Sequence, residues 1–276
     1  MNTQTIEIRI ARRVATVWLA RERVRNALDE TTIAELDAAF AGLGADDGVR
    51  AIVLAGRGPA FCAGADLEAM RRAAHHGEEE NRRDALRLAS MLRRIAECGK
   101  PVVARVHGDA FAGGLGLVAA CDIAFGASGA TFCLSETRLG LVPATISPYV
   151  VRAIGERSAR RYVLSAERFD ATEALRIGLL HQVAAPDRLD AAVDALLETL
   201  LQTSPAAVAS AKDLIRAVAG RPIDDALVAD TAERIAQARA SDDGREGIQS
   251  FLQKRKPRWV VQYEAERLGA DDDEEM

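Results

Sequence analysis

The sequence is poor in aromatic residues and has no cysteine pattern typical of a metal site. Aromatic residues make up 4% of its 276 positions, whereas hydrophobic residues as a whole make up 49%. Aliphatic side chains must therefore fill a large core, with or without a small appendage. The four cysteines lack C-x-x-C spacing and a neighbouring histidine cluster, which argues against bound metal and against a disulfide framework. We expect no metal and a reducing compartment such as the cytoplasm.

The sequence also lacks a basic excess and a long apolar run. Its net charge is −5, and no stripe of basic residues suits nucleic acid. No run of 18 apolar residues and no apolar leader segment is present. We therefore expect binding to neither nucleic acid nor a membrane. An acidic run at residues 271–275 predicts a solvated tail.

Hydrophobic periodicity predicts strands that alternate with helices. Residues 6–10 and 14–19 alternate as a hairpin does, and Asp29 is a suitable N-cap for the helix that follows. Continuous apolar runs predict buried strands, and other segments predict helices or short strands. The strands are 51–55, 101–106, 122–125 and 131–134. One helix starts at Gly113, and residues 66–97 are expected to be helical with a charged, poorly ordered middle near residues 75–81. This alternation predicts an α/β fold of stacked ββα units around a mostly parallel sheet.

The character of the chain changes near residue 187. Four Ala- and Leu-rich helical stretches follow without a strand between them, and Pro205 and Pro222 suit first helical positions. We therefore predict three parts: a core at 1–186, a helical region at 187–257 and an acidic, flexible tail at 258–276.

Two small-residue turns join a strand to a helix, at 60–67 and at 107–114. Backbone N–H groups at a helix start carry partial positive charge, and small residues allow close approach of a ligand oxygen. A single turn of this kind more often serves only to let a helix pack against a sheet. Two such amides that converge could hold the developing oxyanion of a thioester enolate.

Several motifs together resemble the enoyl-CoA hydratase/isomerase (crotonase) family over more than four-fifths of the chain. They are R-x-x-x-x-N-A-L from Arg21, A-F-x-A-G-A-D-L from Ala60, A-x-x-G-G-x-x-L-x-x-x-C-D from Ala110, F-x-x-S-E-x-R-L-G-L-x-P from Phe132 and R-E-G-x-x-x-F-L-x-K-R-x-P from Arg245. The resemblance implies a crotonase-like spiral of ββα units that binds an acyl-CoA substrate and needs no other cofactor. It also implies that the C-terminal helices form a trimerisation region, in homotrimers or hexamers.

Residue by residue, the resemblance implies oxyanion amides at Ala65 and Gly113 and a catalytic carboxylate at Glu136. It also implies contacts with CoA or the acyl group from a further set: Arg23, Val24, Ala27, Ala63, Asp66, Leu67, Gly114 and Gly116. Arg23 would lie near phosphate, unless it is only a solvated charge. Asp122 is expected in a structural ion pair or cap, and we assign no metal to any histidine.

One position departs from the family pattern. Hydratases of this family use two glutamates around one water, and Gly116 stands where the first would be. Glu136 remains, and burial beside the apolar residues 139–142 is expected to raise its pKa. A single carboxylate suits hydration, or proton shuttling between C2 and C4 in a Δ3–Δ2 isomerase; a non-catalytic CoA-binding scaffold is a third alternative.

Some segments of the sequence are similar to those of the bacterial methylglutaconyl-CoA hydratases of leucine degradation and their isohexenylglutaconyl relatives. These segments lie around Gly113 and Glu136, and they include S-P-Y-V-V-R-A-I-G from Ser147. The resemblance implies a substrate with a distal carboxylate, for which Arg138 or Arg152 could supply the cation. Ser147, Pro148 and Tyr149 are expected to shape the acyl pocket.

Overall fold

The computed structural model describes residues 3–260 and begins with the expected hairpin. Strands β1 (Ile6–Ala11) and β2 (Val14–Leu19) pair antiparallel. Arg12 and Arg13 make the connection with φ values of 50° and 68°. The later strands are β3 (Ala51–Gly56), β4 (Ala60–Cys62), β5 (Val102–Val106), β6 (Asp109–Phe111), β7 (Ile123–Ala127), β8 (Thr131–Cys133), β9 (Phe169–Asp170) and β10 (Gln182–Ala184).

Ten helices lie in the part of the chain that the structure describes. They are α1 (Glu30–Ala45), α2 (Leu67–Ala73), α3 (Glu78–Glu97), α4 (Gly113–Ala120), α5 (Ser147–Ser165), α6 (Ala171–Arg176), α7 (Leu189–Leu201), α8 (Pro205–Val218), α9 (Asp225–Ala240) and α10 (Asp242–Leu252). Helix α5 is kinked at Gly155, where φ is +73°.

Two sheets share the strands. The first has the order β1-β2-β3-β5-β7-β10, and all of its pairs beyond the hairpin are parallel. The second has the order β4-β6-β8-β9, with parallel pairs except between β8 and β9. The expected α/β fold with mostly parallel strands is confirmed, but the strands form two sheets rather than one.

The large sheet is covered on both faces, which explains its continuous apolar strands. One face contributes to the main core with α1, α3 and α4. The other face packs against α7 through Leu189, Val193, Leu197 and Leu201. Helix α7 is therefore part of the packing of the sheet, although the sequence placed it in the helical region; the boundary at 186/187 stays a prediction.

Helix boundaries follow capping side chains. Asp29 accepts a hydrogen bond from Thr32 N (2.8 Å), as expected, and Ser204 caps α8 ahead of Pro205. The prediction for Pro222 was wrong, because Asp224 caps α9 through Leu227 N (2.8 Å) and the helix begins at Asp225.

The helical segment predicted at 66–97, with a poorly ordered middle near residues 75–81, is two helices. Helix α2 ends at Ala73, and α3 starts at Glu78 after Gly77. Of the predicted tail, residues 258–260 are bound to the helical region: Arg258 pairs with Asp243 (2.9 Å), and Trp259 Nε1 donates to the Gln202 carbonyl (3.1 Å). Residues 261–276 lie outside the described residues.

Candidate active site

Three predicted site residues follow three adjacent parallel strands. Ala65 comes three residues after β4, Gly113 two after β6 and Glu136 three after β8. These strands are neighbours in the second sheet, in the order β4-β6-β8. Since the carboxyl ends of parallel strands lie at one edge of a sheet, the topology brings all three residues to the same place.

The two small-residue turns touch each other. A Cβ placed on Gly64 would lie 3.0 Å from both the Ala112 Cβ and the Phe111 carbonyl oxygen. A Cβ on Gly114 would lie closer than 3.0 Å to Cys62, which ends β4. Larger residues at either glycine would force the turns apart, so these glycines hold the two amides near each other.

The amides of Ala65 and Gly113 are available to a ligand. Neither N–H donates a hydrogen bond to any residue of the described range 3–260. Gly113 is the first residue of α4, and no side chain caps that helix. Its N–H is one of the donors that a helix start leaves unsatisfied, and it carries partial positive charge.

The backbone at Ala112 is strained. Its φ of 46° and ψ of −117° are unfavourable for a residue with a Cβ. Two hydrogen bonds hold it there: Ala112 N donates to the Cys133 carbonyl (2.9 Å) and Gly116 N donates to the Ala112 carbonyl (3.0 Å). The strain sits immediately before the Gly113 amide, where the orientation of that N–H is set, and sequence reasoning did not identify it.

Glu136 opens a short 3₁₀ turn, Glu136–Leu139. Its Oε2 is buried and has no hydrogen-bond partner among residues 3–260. Burial raises the pKa of Glu136, as expected. The apolar residues that follow it, Leu139, Leu141 and Val142, are 60%, 54% and 72% exposed; that they desolvate the carboxyl group stays a prediction.

The structure explains the missing glutamate at Gly116. Ile146, the residue before α5, occupies the space in which a side chain would begin: a Cβ on Gly116 would lie 2.7 Å from the Ile146 Cβ and closer still to its Cγ2. Ile146 is 2% exposed. Ile146 therefore leaves no room for a side chain at position 116, and sequence reasoning missed this contact because 30 positions separate the two residues.

The segment expected along CoA is held by a buried asparagine. Asn26 is 1% exposed; its Nδ2 donates to the carbonyls of Arg57 (2.8 Å) and Ala60 (2.9 Å), and its Oδ1 accepts from Arg21 N (2.9 Å). Arg23 and Val24 are exposed, whereas Ala27 is buried. Arg23 has no ion-pair partner within the described chain, so its guanidinium is available to an anion.

Ala63, Asp66 and Leu67, which are expected to border the adenine and thioester, differ in how far their polar groups are already bonded within the protein. Ala63 N donates to the Arg25 carbonyl (2.9 Å), which joins the CoA segment to the first turn. The carboxylate of Asp66 is fully engaged: it caps α2 through Glu68 N and Ala69 N and pairs with Arg21 (3.1 Å). Leu67 is exposed.

The remaining predicted residues occupy surface or structural positions. Arg138 and Arg152 are exposed, and Tyr149 is partly buried on α5. Asp122 forms the expected structural pair, with Lys212 Nζ at 2.6 Å. No group of three or more His, Cys, Asp or Glu residues in the described chain could hold a metal ion; the absence of metals and cofactors stays a prediction.

Comparison with known proteins decides the family. The sequence profile of the enoyl-CoA hydratase/isomerase family matches residues 9–262. The chain belongs to the enoyl-CoA hydratase/isomerase family. The crystal structure of an enoyl-CoA hydratase from Shewanella pealeana is 40% identical, with a TM-score of 0.91 over 93% of this chain and 96% of that one. Pseudomonas aeruginosa AtuE is 39% identical, with a TM-score of 0.89 over 93% of this chain and 100% of that one.

A curated relative agrees with this assignment. The short-chain-enoyl-CoA hydratase of Clostridium acetobutylicum is 30% identical over 88% of this chain and 93% of its own length. Family membership and the crotonase fold confirm the resemblance drawn from the motifs, and the chain is an enzyme of this family. No helix in the described part of this family member is long and apolar enough to cross a membrane.

Proposed function

We propose that this chain adds water across the 2,3 double bond of an enoyl-CoA thioester. The observation that carries the proposal is the common position of Ala65 N–H, Gly113 N–H and Glu136 at the ends of β4, β6 and β8. Two free amides suit a thioester oxygen that gains negative charge, and an adjacent carboxyl group with a raised pKa suits proton transfer.

One carboxylate can complete this reaction. Glu136 accepts a proton from water while the water oxygen bonds to C3, and the π electrons move to the thioester oxygen between the two amides. The enolate then collapses, and the protonated Glu136 returns the same proton to C2. Atoms and charge balance without a second acid–base group, so the reaction is compatible with glycine at position 116.

A Δ3–Δ2-enoyl-CoA isomerase is the second candidate. In it, Glu136 would remove a proton from C2 of a 3-enoyl thioester and return it to C4, without water. The observation that favours it is the apolar side chain of Ile146 in place of a second carboxylate, since fewer polar groups are left to bind water.

We further propose a methylglutaconyl-CoA-like substrate within leucine degradation. The motifs around Gly113, Glu136 and Ser147 support it by resemblance. Arg138 and Arg152 are exposed and have no ion-pair partner in the described residues, so either could receive a distal carboxylate. The exposed Arg23 could likewise receive a CoA phosphate.

The proposed assembly is a homotrimer or hexamer in the cytoplasm. Helices α8, α9 and α10 and the connection between α8 and α9 carry exposed apolar side chains, which a second copy of the chain could cover; they are Ile215, Ile223, Val228, Ile235, Ile248, Phe251 and Leu252. Four free cysteines, three of them buried, suit a reducing compartment. We propose no metal, no further cofactor and no nucleic-acid partner.

Side-by-side assays of crotonyl-CoA, 3-methylglutaconyl-CoA and a 3-enoyl-CoA test these proposals, each with wild type and Glu136→Gln. The expected result is hydration of the glutaconyl thioester by wild type and no hydration by Glu136→Gln. Double-bond migration without water addition would assign the isomerase. Tight binding of the thioesters without turnover would establish the scaffold and overturn both catalytic proposals.

A further inference from the structure

Leu28 fixes the orientation of the Ala65 amide through a parallel bridge that joins the two residues. Leu28 N donates to the Gly64 carbonyl (2.7 Å), and the Leu28 carbonyl accepts from Asp66 N (2.9 Å). The Gly64–Ala65 peptide is trans, and the C=O and N–H of a trans peptide point in opposite directions. The Ala65 N–H therefore points away from Leu28, and its direction depends on how firmly this bridge is held.

The guanidinium of Arg21 connects the two segments that form this bridge. Its Nη1 donates to the Ala27 carbonyl (2.5 Å), immediately before the bridge on the first segment. Its Nη2 lies 3.0 Å from Asp29 Oδ2 and 3.1 Å from Asp66 Oδ2, immediately after the bridge on each segment. One side chain therefore holds the bridge between Leu28 and the oxyanion turn.

The two aspartates divide their oxygens in the same way. Asp29 Oδ1 caps α1 and Asp66 Oδ1 caps α2, while both Oδ2 atoms meet at Arg21. Their side chains are 18% and 7% exposed. Without the positive charge between them, these poorly solvated carboxylates would repel each other and push the starts of the two helices apart. The Ala65 amide immediately precedes the start of α2, so it would move with that helix.

We propose that Arg21 is a positioning residue that orients the Ala65 N–H towards the thioester oxygen. It acts through the backbone: its contacts hold the Leu28–Ala65 bridge, and the bridge sets the direction of the amide. A donor stabilises a developing oxyanion only at the right distance and angle, so a small movement of this turn weakens the oxyanion hole. The inference rests on the proposed function, since it assumes that the two amides bind a thioester oxygen.

The infrared frequency of a bound thioester carbonyl tests the proposal. The probe is butanoyl-CoA isotopically labelled at the thioester carbonyl, which is saturated and cannot be hydrated. Donation from two N–H groups should lower the C=O stretching frequency when the probe binds to wild type. Arg21→Met removes the charge, and we expect it to reduce this downshift by about half, because one of two donors is misaligned.

Arg72→Met is the matched control. Arg72 also joins α2 to α1, through Glu30 at 2.7 Å, but this pair is exposed and lies further along α2 than the bridge. Its carbonyl band should stay at the wild-type frequency. Arg21→Lys keeps the positive charge between the two carboxylates but not the planar fork that reaches all three acceptors. We therefore expect an intermediate downshift, which also serves as the test if Arg21→Met does not fold.

Frequency and amplitude separate positioning from general structural support. Loss of folded protein lowers the amplitude of the bound band and leaves its frequency unchanged, whereas a misdirected amide changes the frequency. A wild-type frequency in the Arg21 variants would overturn the role of Arg21 and leave the acyl-CoA site standing. Failure of both variants to fold or to bind would also overturn it, because Arg21 would then be a requirement of the fold. Wild type that does not bind butanoyl-CoA, or binds it without a downshift, would overturn the proposed function and this inference with it.

Discussion

The side chain of Glu136 combines burial with an unpartnered oxygen. A buried acceptor without a hydrogen bond costs stability. The proposed function gives this cost a purpose, because a carboxyl group with a raised pKa suits proton transfer. The motif F-x-x-S-E-x-R-L-G-L-x-P identified this residue from the sequence. The missing hydrogen-bond partner of its buried Oε2 within the described chain could not be predicted, because it depends on packing between segments that are distant in the sequence.

Activity should depend on the ionised form of Glu136. Burial raises its pKa, so the acid limb of the kcat/KM profile should lie above the ordinary pKa of a glutamate. Glu136→Gln should lower kcat by about 10²–10⁴-fold and remove that limb. Steady-state rates across the pH range measure both effects. Glu156→Gln, in an exposed ion pair with Arg160, is the control and should leave the profile unchanged.

The elements themselves were largely predictable because their signals are local. Alternation at 6–10 identified the hairpin, apolar continuity at 51–55 identified a central strand, and Asp29 identified a helix start. The errors have local causes too. Pro222 resembled a helix start, but the side chain of Asp224 supplies the cap two residues later. Pairing of β4, β6 and β8 into a second sheet joins distant segments, so no window of sequence could reveal it.

Helix α8 is fastened to the large sheet by the Lys212–Asp122 pair. Lys212 Nζ lies 2.6 Å from the Asp122 carboxylate, which also accepts from Val102 N (2.7 Å). Burial raises the pKa of Asp122 despite this partner, so loss of Lys212 would leave a desolvated charge. Lys212→Met should destabilise the protein by about 2 kcal/mol, below the range for fully buried pairs, as measured by urea unfolding. Arg216→Met, at an exposed pair with Asp213, is the control and should cost much less, because water screens the attraction between exposed charges.

Glu173 joins α5 to α6 and should make stability sensitive to acid. Hydrogen bonds from Arg176 and Tyr162 lower the pKa of Glu173 to about 2. Because the folded-state pKa lies below the unfolded value, the stabilisation is complete above about pH 4.5 and disappears as the pH falls towards 2. Glu173→Gln should therefore lower Tm at pH 7, and the two proteins should converge as the pH falls. A Tm difference that is the same at pH 7 and pH 3 would contradict this.

At the scale of the whole molecule, the C-terminal helices and the connection between α8 and α9 leave an apolar surface uncovered. Ile223 and Phe251 are 88% and 82% exposed, which is unusual for large apolar side chains in a monomer. Phe251→Asp should shift the proposed trimers or hexamers towards monomers in light scattering after size-exclusion chromatography. Leu86→Asp, at an exposed apolar position on α3, is the control and should keep the wild-type mass. A monomeric wild type would contradict the proposed assembly.

The guanidinium of Arg50 binds the carbonyls of Thr203 and Trp259 at once. These two residues stand on either side of α8, α9 and α10. The three helices are thus an excursion of the chain whose two ends meet at one buried guanidinium, beside the hydrogen bond from Trp259 to Gln202. In polymer terms, Arg50 helps to close a loop of three helices, and its two hydrogen bonds offset part of the entropy lost on closing that loop. Separation of either end from the core breaks a hydrogen bond to the same buried charge.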